Sequence, residues 1–248
     1  MSNACVIGYG VVGQATAEAF GIDKYYSRTN SNITLEQAAG YRYIFICLPT
    51  PTLDGKCFTQ DIEDVIRTIC SYKGKNIFII RSTVYPGFIK YMHQKYGINN
   101  LVSNPEFLSE DTAIEDAKNP KLIVLGGDYF KYLESVRAFY QARFKYGNYV
   151  ITDSTTSELI KYALNTFFTT KVIFANELYD YTQKVKANYE AIKKVLTFHP
   201  WGSKNHFTVF YKDKRGVHGK CLPKDTEAFA NLTGSPFFKM LLERNNYV

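Results

Sequence analysis

Gly8-Tyr9-Gly10-Val11-Val12-Gly13 follows the apolar run Ala4-Cys5-Val6-Ile7 and opens an alanine-rich stretch. Between a strand and a helix each glycine has a physical task. The first allows a tight turn, the second lets backbone approach a pyrophosphate, and the third lets helix and strand pack closely. The helix that follows aims free N–H groups and a partial positive charge at the phosphates. A dinucleotide is therefore the expected ligand. An NAD-binding second strand ends in a carboxylate that holds the ribose 2′-hydroxyl. Here that segment reads Tyr25-Tyr26-Ser27-Arg28-Thr29-Asn30. Ser27 and Arg28 suit the 2′-phosphate of NADP, while an arginine stacked on the adenine or left in solvent serves NAD equally. Both cofactors stay open on these residues.

Two further constellations carry chemistry. Lys161 and Asn165 are spaced i, i+4, so on a helix they share a face. An ammonium and an amide aimed at one point make a site for an oxyanion. By spacing alone, a solvated lysine and a polar helix residue are the simpler reading. Cys221 has Lys220 and Lys224 as neighbours, whose charges favour a thiolate. The five cysteines (Cys5, Cys47, Cys57, Cys70, Cys221) show no CxxC spacing, which argues against a disulfide framework and a zinc cluster. No metal is expected. Cys5 and Cys47 lie in apolar runs, as small core residues do.

These groups need elements to hold them. Short apolar runs at 4–8, 24–27, 43–48, 77–80, 101–103 and 122–125 read as strands. Amphipathic stretches at 11–20, 34–40, 60–71 and 87–96 read as helices. That alternation predicts a parallel sheet covered on both faces. After residue 153 the texture changes. Ser154-Thr155-Thr156-Ser157-Glu158 offers helix caps, and helices are expected at 157–186, 187–197 and 224–246 around an irregular basic loop at 199–220. The fold class is α/β, a Rossmann-type parallel sheet over 1–153 followed by a mostly α-helical domain over 154–248. The 248 residues, 46% hydrophobic and 21% charged, suffice for such a core. No apolar run is long enough for a bilayer and no secretory signal opens the chain, so a cytoplasmic location without membrane contact is expected. The net charge of +7 is spread along the chain. It suits phosphate-bearing small ligands better than nucleic acid.

Five further segments resemble the UDP-glucose/GDP-mannose dehydrogenase family, in that family's order. They are Cys47-Leu48-Pro49-Thr50-Pro51-Thr52, Arg81-Ser82-Thr83-Val84-Tyr85-Pro86-Gly87, Ser103-Asn104-Pro105-Glu106-Phe107-Leu108-Ser109-Glu110, Ser157 to Asn165, and Gly216-Val217-His218-Gly219-Lys220-Cys221-Leu222-Pro223-Lys224-Asp225. With the glycine loop they span almost the whole chain. The resemblance implies a nicotinamide dinucleotide, a UDP-sugar substrate, and oxidation of its primary alcohol to a carboxylate, as in UDP-glucose to UDP-glucuronate. It implies that Cys221 is the nucleophile, forming a thiohemiacetal and then a thioester. It gives Lys161 and Asn165 the oxyanion role, and Asp225, Thr83 and Glu106 the hydrolytic water and proton transfer. Pro49, Thr50, Ser82, Thr83, Glu110 and Lys224 would join Gly8 to Gly13, Ser27 and Arg28 around the cofactor. Glu106, Phe107, Leu108, Lys161, Asn165, Gly216, His218 and Gly219 would face the substrate.

The departures from the pattern matter too. His218 stands where the family has glycine, and Lys220 precedes the cysteine. His199-Pro200-Trp201 replaces an Asp-Pro-Arg whose arginine reaches a neighbouring subunit's substrate, and Lys204 and Arg215 are the available substitutes. Members continue past the cysteine loop into a C-terminal UDP-binding domain. Residues 224–248 match only the helix leading to it, so a chain lacking that domain is expected. A dinucleotide-binding module without turnover, or the same chemistry on GDP-mannose, are the alternatives. Ile160, Phe167, Phe168, Ile173 and Phe174 are more than one small domain easily buries, so the 157–186 helix is expected to form a homodimer.

Overall fold

Period-two alternation in four-residue apolar strands puts a hydrophobic side chain on each face of a sheet, so helices must cover both. The computed structural model, which describes residues 3–248, has this arrangement in the first of two units. That unit comprises the residues up to Thr50 together with Phe58–Lys161. The second comprises Pro51–Cys57 and Tyr162–Val248.

In the first unit the strands are β1 (Ala4–Ile7), β2 (Tyr25–Tyr26), β3 (Tyr43–Ile46), β6 (Ile77–Ile80), β7 (Leu101–Ser103), β8 (Ile123–Gly126) and β9 (Tyr149–Thr152). They form one sheet in the order β2-β1-β3-β6-β7-β8-β9. Neighbours run parallel except β7 and β8, which meet antiparallel at Ser103 and Gly126. One face sends Ala4, Val6, Phe45, Ile77 and Ile79 against Ala15, Ala17, Ala19, Val136 and Tyr140. Those partners lie on α1 (Val11–Phe20) and α6 (Phe130–Arg143). The other face sends Cys5, Ile7, Ile44, Ile46, Phe78 and Ile80 against Ile62, Ile66, Ile69, Phe88 and Met92. These belong to α3 (Gln60–Ser71) and α4 (Phe88–Tyr96). Two shorter helices, α2 (Leu35–Ala38) and α5 (Ala113–Lys118), complete the cover.

The long helix α7 (Ser154–Val185) starts three residues earlier than expected, because Asp153 caps it. The Asp153 carboxylate accepts from the Thr156 N–H at 3.0 Å, and Asp128 accepts from the Ser154 N–H and hydroxyl at 3.1 and 2.6 Å. Lys161 is the last residue of the first unit, so the divide between these two compact units lies within α7. Glu158, on the first turns of α7, accepts the Gly87 and Ile89 N–H groups at 2.6 and 2.9 Å and so caps α4. Burial pushes its carboxyl up to about 7 against those two hydrogen bonds. A carboxyl raised in the folded state stabilises fully below its unfolded value, and that contribution is lost as pH rises through about 7. Stability is therefore expected to fall between pH 5 and 8 by on the order of 3 kcal/mol from this group. Urea denaturation at both pH values checks it. A Glu158→Gln variant that keeps the whole slope would show that another group is responsible.

The second unit is helical apart from an early hairpin, β4 (Thr52–Leu53) and β5 (Lys56–Cys57). Asp54 and Gly55 turn it, both at positive φ, 49° and 70°, as a two-residue hairpin turn requires. Its helices after α7 are α8 (Tyr189–Phe198), α9 (Leu222–Thr233) and α10 (Pro236–Asn245). The single helix expected over 224–246 is thus two. Gly234 closes α9 in the left-handed conformation, φ 65°, and Pro236 opens α10 at its first position. The hairpin lies on α9: the Thr52 hydroxyl donates to the Lys224 carbonyl at 2.9 Å, and Cys57 packs with Tyr162, Ala228 and Phe229. No described helix is long and apolar enough to cross a membrane.

Candidate functional site

The glycine loop has the geometry its sequence requires. Gly8 sits at φ 93°, and a Cβ there would lie 2.5 Å from the Cys47 carbonyl oxygen. A Cβ on Gly13 would come within 1.9 Å of the Gly8 carbonyl oxygen, so strand and helix meet backbone to backbone. Gly10, by contrast, faces open space and begins α1 with no side chain capping it. This is a cradle that fits a pyrophosphate on the α1 N-terminus. Tyr9 stacks on Tyr25 at 3.7 Å, Val11 is exposed, and the Val12 carbonyl accepts from Thr16. At the end of β2, the Ser27 hydroxyl donates to the Asn30 carbonyl at 2.7 Å and Arg28 pairs with Asp61 at 2.9 Å. The arginine stays largely exposed, a pair of small energetic weight. Thr50 is buried, Pro49 exposed, and the Ser82 hydroxyl donates to the Leu48 carbonyl at 2.7 Å. Glu110 lies in an exposed 3₁₀ turn.

A buried ion pair stands in the same unit. The Lys161 ammonium contacts Glu106 Oε1 at 3.1 Å and donates to the Glu106 carbonyl at 2.7 Å. Both side chains are close to nine-tenths buried. The Leu108 N–H donates to the other carboxylate oxygen at 2.8 Å, and Lys161 also lies over the Phe107 ring. Burial alone would raise the Glu106 carboxyl, but the Lys161 charge, the Leu108 N–H and the Arg81 guanidinium outweigh it and hold it below its usual range. Glu106 is thus an ionised acceptor, not a proton donor. Sequence reasoning missed a cluster beside it: Arg81, Asn104 and Tyr140, all buried and mutually hydrogen-bonded. Separations of 23 to 59 residues left no signal in the spacing.

In the second unit, Cys221 is exposed at the head of α9. The Asp225 N–H closes the first turn onto the Cys221 carbonyl at 2.9 Å. The Asp225 side chain is 1% exposed; it accepts from Asn165 at 2.6 Å and pairs with Lys224 at 2.5 Å. The Lys224 ammonium is thus held by Asp225. Gly216 and Gly219 hold left-handed conformations, φ 76° and 86°, and His218 is exposed with its Nε2 against the Arg215 carbonyl. Arg215, a candidate to replace the missing arginine, is engaged by Asp180 at 2.8 Å and by Asn176. So the expected residues gather in two polar clusters, Glu106–Lys161 in the first unit and Asn165–Asp225–Lys224 in the second. Lys161 and Asn165 are one turn apart on α7.

Residues 23–144 match the NAD binding domain of the UDP-glucose/GDP-mannose dehydrogenase family, and residues 155–244 match its central domain. The chain belongs to the UDP-glucose/GDP-mannose dehydrogenase family. It is 34% identical over 209 residues to a UDP-glucose 6-dehydrogenase of Rickettsia felis, covering 82% of this chain and 46% of that protein. A Campylobacter jejuni UDP-glucose 6-dehydrogenase is 32% identical over 203 residues, covering 75% and 48%. The chain spans about half the length of the curated relatives it matches. A solved UDP-glucose dehydrogenase from the hyperthermophilic archaeon Pyrobaculum islandicum superposes with a TM-score of 0.85 at 23% identity, over all of this chain and 68% of that one. At that identity the likeness speaks for the Rossmann-type fold. The family is one of NAD-dependent sugar-nucleotide dehydrogenases, which supports a nicotinamide dinucleotide as the cofactor class.

Proposed function

We propose that this chain catalyses the two-step oxidation of UDP-glucose to UDP-glucuronate with NAD or NADP. One observation carries the reading. Cys221 heads α9, and the next turn of that helix holds the buried Asp225, to which Asn165 donates. A helix N-terminus favours a thiolate, and a buried, hydrogen-bonded carboxylate beside it suits the handling of water. Gly8 to Gly13 would hold the cofactor pyrophosphate, with Ser27 and Arg28 at the ribose and Pro49, Thr50, Ser82, Thr83, Glu110 and Lys224 toward the reactive end. What the cofactor supplies, when bound, is a hydride acceptor.

The chain's own groups do the rest. After the first oxidation the Cys221 thiolate adds to the aldehyde carbon, and the carbonyl electron pair becomes an oxyanion that Lys161 and Asn165 stabilise. Protonated, this is a thiohemiacetal, which loses a second hydride and a proton to become a thioester. Water then adds to the thioester carbon, the C–S bond breaks, and the carboxylate leaves with the thiolate regenerated. The family resemblance gives Asp225, Thr83 and Glu106 the roles of holding that water and taking up its proton. Phe107, Leu108, Gly216, His218 and Gly219 would line the sugar. Absorbance at 340 nm with UDP-glucose, GDP-mannose, NAD and NADP in parallel is the test. Two reduced cofactors per UDP-glucose support the reading. Dinucleotide binding by calorimetry with no reduction on any substrate overturns it in favour of a binding module, which the side chain at His218 in place of glycine would explain. Preference for GDP-mannose would keep the chemistry and change the sugar nucleotide.

A homodimer through α7 belongs to the same proposal. Phe167, Phe174, Tyr181 and Val185 are more than half exposed, at spacings of seven, seven and four that keep them on one stripe of the helix. Ile173 was expected on this face but is buried with Val217 and Leu241 inside the unit. Light scattering at micromolar protein should return twice the chain mass, and Phe167→Glu/Phe174→Glu should return a monomer. A wild-type monomer would remove the dimer from the proposal.

A further inference from the structure

Arg81 has no part in the chemistry above, yet it is a buried cation, 9% exposed, and among the described residues no carboxylate pairs with it. Its Nη1 donates to Asn104 Oδ1 at 2.5 Å and to the Tyr140 hydroxyl at 3.2 Å, and the Tyr140 hydroxyl donates to the same Asn104 oxygen. Its buried Nε has no hydrogen-bond partner among the described residues. Asn104 is pinned further: its Nδ2 donates to the Val124 carbonyl and its N–H to the Ile80 carbonyl, both at 2.8 Å. Two residues on stands Glu106. Both oxygens that Arg81 donates to are uncharged, one an amide oxygen and the other the Tyr140 phenol, which burial pushes up to about 12. The neighbouring Cys47 thiol is neutral too, pushed up to about 11. Arginine keeps its proton, and an unbalanced buried guanidinium is expensive. The anion that balances it is Glu106, on which it acts at longer range than Lys161 does.

We infer that Arg81 is a positioning residue for Glu106: it fixes the Asn104–Pro105–Glu106 segment through Asn104 and adds a second buried cation that stabilises the Glu106 carboxylate. The charge count gives this a purpose. Lys161 with Glu106 alone is neutral and attracts a developing oxyanion poorly. Lys161 and Arg81 against one carboxylate leave a surplus of one positive charge for it. The role in turnover rests on the proposed dehydrogenase reading; the effect on Glu106 does not.

Carboxyl carbon NMR of the full chain, labelled on glutamate and with Glu106 assigned through Glu106→Gln, separates the two. In Arg81→Met the Glu106 titration should rise by about one unit, and the acid limb of kcat/KM should rise with it. Arg81→Lys should restore the titration while kcat stays reduced, because an ammonium lacks the fork that grips Asn104 and Tyr140. Tyr140→Phe keeps the charge and should leave the titration in place. If Arg81→Met does not fold, Arg81→Gln, which keeps a donor for Asn104, gives a second charge-free variant. A Glu106 titration unchanged in the folded charge-free variant overturns the inference. If wild type shows no turnover, the dehydrogenase reading has failed and the titration still decides this one.

Discussion

Replacing Cys221 by serine should lower the conversion of UDP-glucose to UDP-glucuronate by roughly 10³-fold or more, the scale on which a covalent nucleophile is lost. The reason lies in the second hydride. A free aldehyde has no electron-rich oxygen on the reacting carbon to expel one, whereas a thiohemiacetal does. Serine keeps the position at the head of α9, but its hydroxyl is not ionised near neutrality by a helix N-terminus alone, as a thiol can be. The stoichiometry should change along with the rate, toward one reduced cofactor per sugar. Rapid-quench analysis with labelled UDP-glucose reads this directly: wild type should trap a protein-bound label and Cys221→Ser should not. Equal rates and equal stoichiometry in the two proteins would remove Cys221 from the chemistry.

Lys161→Met should damage stability and turnover together, through different causes. It strips the nearer counter-ion from a Glu106 whose side chain is 11% exposed, leaving only the longer-range Arg81, and breaking a buried pair in this way destabilises by up to about 3–5 kcal/mol. It also removes an oxyanion donor, for which a loss of roughly 10² to 10³ in kcat is expected. The double variant Lys161→Met/Glu106→Gln separates the two. With the Glu106 charge gone as well, its urea midpoint should return part of the way to wild type, Arg81 having lost the carboxylate that balances it, while turnover at 340 nm stays low. A double variant no more stable than Lys161→Met would show that the ion pair is not the source of the stability loss.

Much of this was legible beforehand, and the failures have physical causes. The bounds of α1 and α3 follow from Ala and Ile periodicity, and β6 and β7 from uninterrupted apolar runs. The direction of β8 was not legible, since alternation records which face a residue takes and not which way the strand runs. The break between α9 and α10 was written in Gly234 and Pro236 but was outvoted by the apolar residues on either side. The hairpin at Asp54-Gly55 carried a strong turn signal in segments too short to register as strands. Of the candidate site, the i, i+4 pair on α7 and the turn between Cys221 and Asp225 are local and could be read. The partners Glu106 for Lys161 and Asn165 for Asp225 lie 55 and 60 residues away, and only resemblance to a family put them on one list. Nothing local linked Arg81 to Tyr140.

The hairpin at Pro51–Cys57 has a consequence for the order in which the protein is born. On the ribosome these seven residues emerge long before the helix they lie on: Thr52 finds its carbonyl partner at Lys224, 172 positions later. The sheet can assemble around them meanwhile, since its strands close through nearer neighbours. The second unit cannot be finished until its last third has been made and has found a piece laid down near the start. Separate synthesis of residues 162–248 would therefore yield a chain missing one of its own walls, with the packing of Cys57 beside Ala228 and Phe229 lost.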